Sequence, residues 1–427
     1  MTAHIYNNLH GSSGVWSSPY GGLSLEELAQ STGSCPPPSG FPAVICHSNG
    51  ELYKFFQKNT IQLTTHHVSE IEAANANFKL YELDGDEVER EKFPLPTLGP
   101  LLERCGQEIH EGHGIVIIRG LDPEKYSIED STTIYLGISS YIGDQRGVQS
   151  SKGAMLTHVV EKKEWKSVCK DHRHGIHTTD HLPFHNDMGT EILALQVRET
   201  AEIGGRTCVA PIRVIYNHLR EHNPLVLHTL AKHDWPVRVG TKAYKLCPLL
   251  VYHRGNLMIT ADPARIGPYP GNRAPKLTLE QEMAFAVLQD TARKYQLKLE
   301  HQPGDLVYLN NWTLLHAREA YRDGQTSSRH LVRLWLRNSV LGWQVPESVS
   351  FPWDCAFGER SKLVPNLSYP LVPLPVYMYS KYNSGTAAFV PTDDEDEDDV
   401  NATTRGIHDR DHVDQGDTIP VLSQSGP

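Results

Sequence analysis

Apolar residues recur at two different periods along the chain, and the change of period divides it. Between residues 69 and 142 the period is mainly helical. Ile71, Ala74 and Phe78 make one stripe within 69–78, and Leu98, Leu101, Leu102 and Cys105 make another within 97–110. A third helix is predicted over 128–142, broken by Gly143-Asp144-Gln145-Arg146-Gly147. Ahead of it, Gly114-Ile115-Val116-Ile117-Ile118-Arg119-Gly120 is a continuous apolar run that reads as a buried strand ending in a turn.

From residue 180 onward short apolar runs alternate with long loops, which suits a barrel or a double-stranded β-helix. Residues 192–197 supply one run, and residues 304–316 read as a Gly-Asp turn followed by a single strand that ends near His316. One helix interrupts the pattern: Thr278 with Gln281 three positions on is a capping box, and the helix is expected to reach Tyr295. The strand over 329–337 alternates, with Arg329, Leu331, Arg333, Trp335 and Arg337 on one face.

Composition and charge narrow the function classes. At 39% apolar and 21% charged the chain is ordinary for a soluble globular protein. No run of 18 apolar residues is present, and the polar N-terminus lacks a signal-peptide core. Seven cysteines without Cys-x-x-Cys spacing point to free thiols in a reducing compartment, hence a cytoplasmic location, and away from a zinc module. The net charge of −11 is concentrated in residues 393–399, Asp-Asp-Glu-Asp-Glu-Asp-Asp. The rest is close to neutral, so neither a nucleic-acid surface nor a membrane-binding basic patch is indicated. Three regions follow: an irregular Gly/Ser/Pro-rich arm over 1–60, a main domain over 61–390, and an acidic tail over 391–427 expected to be disordered.

The chemistry sits in two short stretches. Phe184-His185-Asn186-Asp187 places an imidazole and a carboxylate two residues apart, on one side of an extended strand. His-x-Asp alone is weak, since roughly one such triplet is expected by chance, and a second occurs at His412/Asp414 in the acidic tail. That one has no strand pattern around it and no later histidine. The first is joined by His316 and, thirteen residues on, by Arg329. Two histidines and one carboxylate can cap one face of an octahedral Fe(II) and leave three positions open. The arginine would hold the far carboxylate of a chelating cosubstrate. Histidines 172, 174 and 177 read as a mobile polar loop rather than a second metal site.

With these residues in place, the chain resembles the taurine dioxygenase/TfdA-like family of Fe(II)- and 2-oxoglutarate-dependent dioxygenases, in its fungal branch. The matching pieces are residues 114–120, Phe-His-Asn-Asp, Gly204-Gly205-Arg206-Thr207, Gly304 to Asn311, His316 to Tyr321, and Arg329 to Asn338. They cover roughly residues 60 to 360. The resemblance implies an α+β fold, a jelly-roll or cupin-like double-stranded β-helix with flanking helices. It implies Fe(II) on His185, Asp187 and His316, with 2-oxoglutarate held by Thr207 and Arg329. Dioxygen is the other cosubstrate. Oxidation of an unactivated C–H bond is then coupled to decarboxylation of 2-oxoglutarate to succinate and carbon dioxide. Hydroxylation is the default outcome, with desaturation or cyclisation in secondary metabolism as further options. Asn186 departs from the threonine that many relatives carry between the two ligands.

Arg333 shares a face with Arg329, and in the taurine and phenoxyacetate enzymes an arginine four residues further on binds the substrate's anionic group. That implies a small carboxylate-bearing substrate such as an amino acid. The alternative is that Arg333 pairs with an internal carboxylate and braces the barrel. His181, four residues before the first ligand, is a further pocket candidate. Outside the family, the same triad could hold zinc for hydrolysis, or the fold could serve as a non-catalytic binding scaffold. The oligomeric state, homodimer included, stays open.

Overall fold

The computed structural model describes residues 36–43, 45, 59–239, 243–268, 274–364 and 366–377. The expectations for residues 1–35 and for the acidic tail lie outside these. Chain order begins with β1 (Thr60–Gln62), α1 (Thr65–Leu80), α2 (Gly99–Glu111), β2 (Ile115–Arg119), α3 (Ile128–Ser140), β3 (Gln145–Arg146) and β4 (Leu156–Val160). There follow β5 (Leu182–His185), β6 (Ile192–Glu199), β7 (Thr207–Pro211), α4 (Ile212–His222) and α5 (Pro224–Ala231). Beyond two small hairpins come α6 (Leu279–Lys294), β8 (Leu297–Leu299), β9 (Leu306–Asn310), β10 (Leu314–Arg318), β11 (His330–Arg337) and α7 (Ser350–Phe357).

Two sheets face each other. The larger runs β1-β2-β9-β6-β11-β3, with β4 beside β3 on the same edge of β11; the smaller runs β8-β7-β10-β5. All pairings are antiparallel except β1 with β2. Among the described residues these sheets do not close into one hydrogen-bonded barrel.

The two-residue period of each strand sorts its side chains between layers. In β11, Val332, Leu334 and Leu336 join Ile71, Phe78, Leu102, Ile109, Tyr135 and Ile138 in a core between the large sheet and α1–α3. Leu331 and Trp335 face the other way and pack with Leu193, Leu195, Val197 and Val307, and with Val209 and Leu314 of the small sheet. The outer face of the small sheet, Cys208, Ala210, Leu315 and Ala317, is covered by Ile215, Leu219, Leu227 and Leu288 of α4–α6. The face of β11 that carries Leu331, Arg333 and Trp335 therefore lies between the two sheets.

Several expectations need correction. Residues 304–316 are not one strand. Gly304 turns at φ +93°, β9 pairs in the large sheet, and β10 pairs in the small one. The crossing at 311–313 is held by Asn310 Oδ1, which accepts the Trp312 N–H at 3.1 Å. Helices α4 and α5 were not anticipated. Ile212, Ile215, Tyr216 and Leu219 do carry a helical stripe, but β-branched residues in a strand-rich region favour the strand reading. Residues 170–172 lie at the surface as expected, but the segment then turns inward: His174 and His177 are buried. His177 packs edge-on to Trp165 and Tyr377, with ring centroids at 4.8 and 5.6 Å.

The capping box is present, with Thr278 Oγ1 accepting the Gln281 N–H. Part of the N-terminal arm does dock: Phe41 stacks on Tyr216, and Ile45 exchanges two hydrogen bonds with the Asn217 side chain. Cys105, Cys169, Cys208, Cys247 and Cys355 are free thiols. Among the described residues no helix is long and apolar enough to cross a membrane.

Candidate active site

His185 and His316 are direct cross-strand partners between β5 and β10. Side chains opposite each other in an antiparallel pair project to the same face, and the two rings lie 4.2 Å apart by centroid. Asp187 is not on the strand, which ends at His185. Its position is set instead by Asn311, whose Oδ1 accepts the Asp187 N–H at 3.0 Å while Nδ2 donates to the Asp187 carbonyl at 2.6 Å. Between the ligand candidates, Asn186 turns away and ties the segment to a neighbouring strand. Its Nδ2 donates to the Ile259 carbonyl at 2.7 Å and its Oδ1 accepts the Ala261 N–H at 2.6 Å.

His185, Asp187 and His316 are all buried and bring one donor atom each to within 4.8 Å of the others. Asp187 Oδ1 lies 3.8 Å from His185 Nε2 and 3.6 Å from His316 Nε2. Donors about 2.1 Å from one ion can be up to roughly 4.2 Å apart, so these separations suit a shared cation. Two further observations fit a metal. His185 Nδ1 is 2.8 Å from the Pro183 carbonyl, which fixes the N–H there and leaves Nε2 as a lone pair. Asp187 Oδ1 is buried with no hydrogen-bond partner among the described residues. Burial, with the nearby Arg333 guanidinium as a lesser cause, holds the His316 imidazole well below its ordinary value, hence neutral.

The other carboxylate oxygen is engaged from across the layer. Arg333 Nη1 donates to Asp187 Oδ2 at 2.8 Å and Trp335 Nε1 donates to it at 2.9 Å. Arg333 Nε donates to Gln149 Oε1 at 2.8 Å, and Nη2 has no partner among the described residues. The internal-carboxylate alternative for Arg333 is thus what the geometry displays, and the carboxylate is a candidate ligand itself.

Thr207 opens β7 opposite Arg318, one same-face step along β10 from His316. Its hydroxyl lies 2.8 Å from His301 Nε2. Arg329 is buried; its Nε donates to the Gly205 carbonyl at 2.8 Å, and its guanidinium lies 5.5 Å from the centre of the Tyr321 ring. Nη1 is buried without a partner among the described residues. Gly205 has φ +73°, and a Cβ there would come within 2.8 Å of Arg329 Cδ. This explains glycine at that position in the Gly-Gly-Arg-Thr stretch. Burial, then the nearby Arg318 charge, pulls the Arg329 guanidinium down to about 9, so it still carries its charge at neutral pH. Arg329 and His301 line one cavity of about 320 Å³.

His181 is exposed, before β5 begins. Gln149, Trp335, Asn311 and His301 escaped the sequence reading. Trp335 could have been found, since the alternation puts it on the Arg333 face; the other three carry no local signal.

Comparison with known proteins agrees with this architecture. Residues 79–335 match the family described as "Taurine catabolism dioxygenase TauD, TfdA family". A "Taurine hydroxylase-like protein SAT17" from the fungus Stachybotrys chartarum is 37% identical over 304 residues, 68% of this chain and 78% of that protein. The "FR-33289 synthase" of Streptomyces rubellomurinus is 27% identical over 280 residues, 62% of this chain and 80% of that protein. Among solved structures, an asparagine oxygenase superposes with a TM-score of 0.54 at 16% identity, covering 67% of this chain and 98% of that one. The non-heme iron oxygenase OrfP gives 0.50 at 13%, covering 68% and 98%. The chain belongs to the TauD/TfdA family. It is accordingly a non-haem iron enzyme that uses Fe(II), 2-oxoglutarate and dioxygen, which sets aside the zinc-hydrolase and binding-scaffold alternatives.

Proposed function

We propose that residues 61–390 form a dioxygenase domain that oxidises an unactivated C–H bond of a small, carboxylate-bearing substrate, with hydroxylation as the default outcome. The observation that carries this reading is the convergence of His185, Asp187 and His316, with Asp187 Oδ1 left for a cation while Oδ2 is held by Arg333 and Trp335. In this reading the facing sheets are the two halves of a double-stranded β-helix. His185, Asp187 and His316 hold Fe(II), which supplies dioxygen activation coupled to decarboxylation of the 2-oxo acid.

The remaining work falls to the chain. Arg333 and Trp335 fix the Asp187 carboxylate so that one oxygen faces the histidines, an outer partnership that tunes metal affinity. Arg329 and Thr207 hold the distal carboxylate of 2-oxoglutarate. Arg333 Nη2 is available to a substrate anion, which favours an amino acid or another small acid. The solved oxygenases named above include complexes with hydroxyasparagine and with hydroxylated arginine, an additional support for amino acids. The packed inter-sheet layer excludes water from the reacting centre.

The test is anaerobic addition of Fe(II) and 2-oxoglutarate, which should give a metal-to-ligand charge-transfer band. Dioxygen-dependent succinate formation is then measured against a panel of amino acids, sulfonates and carboxylic acids. Turnover supported fully by zinc, without dioxygen, would overturn the reading.

A further inference from the structure

His301 lies against the two side chains of the candidate cosubstrate subsite, although no motif assigns it. It precedes the Gly304 turn, outside β8 and β9, and its imidazole points at the one hydroxyl of that subsite: Nε2 is 2.8 Å from Thr207 Oγ1. The other ring nitrogen, Nδ1, is buried without a partner among the described residues. Buried polar atoms are nearly always satisfied, so an orphan imidazole nitrogen and an orphan Arg329 Nη1 on residues that line one cavity point to a polar ligand there. Both side chains line the same cavity of about 320 Å³. Glu199, Glu202 and Glu300 also line it, but they are committed elsewhere: Glu199 accepts the Ser328 N–H, Glu202 pairs with Arg322, and Glu300 pairs with Arg206.

Burial, with Arg329 and Arg119 nearby, depresses the His301 imidazole to about 3, so it stays neutral, with one N–H and one lone pair. Either tautomer leaves the pair with one free donor. If Nε2–H donates to Thr207 Oγ1, the threonine hydroxyl proton is free for an anion. If Nε2 accepts the threonine proton, Nδ1–H is free instead.

We propose that His301 is a positioning residue of the cosubstrate subsite, acting with the Thr207 hydroxyl so that this pair and Arg329 together hold the distal carboxylate of the 2-oxo acid. The inference rests on the dioxygenase reading. It adds a residue that acts on cosubstrate binding and leaves the metal triad alone.

The experiment titrates Fe(II)-loaded wild type and variants with 2-oxoglutarate under anaerobic conditions, following the charge-transfer band. His301→Phe removes both nitrogens and should raise the Kd about tenfold, the scale of one charge-assisted hydrogen bond. His301→Gln places an amide near the Nε2 position and should stay within about threefold of wild type. Thr207→Val should weaken binding similarly, and His301→Phe in that background should add little, because the two act as a unit. If His301→Phe does not fold, His301→Asn replaces it: its amide falls short of Thr207, so it should bind weakly where His301→Gln does not. An unchanged Kd in folded His301→Phe, or fully additive losses with Thr207→Val, overturns the assignment alone. Absence of any band in the wild type overturns the dioxygenase reading and this inference with it.

Discussion

Arg333 and Asp187 form a buried ion pair, Nη1 to Oδ2 at 2.8 Å, in which one partner is also a candidate metal ligand. The arginine therefore fixes the carboxylate's orientation. Arg333→Gln should weaken Fe(II) affinity by about 10- to 100-fold, the usual range for a lost outer partner of a metal ligand. Anaerobic metal titration measures this. An unchanged metal Kd would leave Arg333 with the substrate role alone.

The same pair makes a prediction about the metal-free protein. Asp187→Ala strands the Arg333 guanidinium and the Trp335 N–H in the layer between the sheets. Breaking one side of a buried pair costs about 3–5 kcal/mol, so the metal-free variant should unfold at clearly lower urea than metal-free wild type. Equal midpoints would mean that water reaches Arg333 and compensates.

Asn186 gives a stability effect separate from chemistry. Asn186→Thr, the residue many relatives carry, cannot reproduce both side-chain bonds to Ile259 and Ala261. A loss of about 1–3 kcal/mol is expected for a buried group left unpaired, with metal affinity nearly unchanged. Calorimetry and metal titration on one sample separate the two. A large loss of affinity would show that the Asn186 tether also sets the ligand spacing.

Acid stability should reflect two buried histidines, His158 and His177, and the half-buried His301. Burial lowers the imidazoles of His158 to about 4 and of His177 and His301 to about 3. Each folded pKa lies below the unfolded value near 6.5, so between about pH 6.5 and 4 the unfolded chain binds more protons than the folded one. Their contribution is fully present above pH 6.5 and is lost as pH falls toward the folded values. Each accounts for up to about 1.4 kcal/mol per pH unit in that window. Urea midpoints measured from pH 7 to 4.5 should fall steadily, and a flat profile would contradict the buried neutral state.

Much of this architecture was legible in the sequence where one period persisted. The stripe Ile71, Ala74, Phe78 was readable because α1 buries one face, and burial imposes its period on the residues; β11 is buried on both faces, but the arginines at 329, 333 and 337 mark one of them and keep the alternation visible. Residues 304–316 misled because both β9 and β10 are buried on two faces, which erases the alternation and hides the switch of sheet at Asn311. His185, Asp187 and His316 were readable as a set, but what holds Asp187 was not. Asn311 and Gln149 reach the site through bonds between distant segments, and no local pattern encodes such pairings.

The cross-strand pairing of His185 with His316 has a consequence for how the protein acquires its metal. The two residues come from widely separated segments, and nothing brings them together until β5 and β10 pair beside β7. Long-range pairing of this kind forms late, because loop closure has to be met before its contacts contribute. Partly folded chains consequently offer iron at most the local His185-x-Asp187 pair and no triad. Iron held by a site that exists only in the native state shifts the folding equilibrium of the whole fold rather than of one loop.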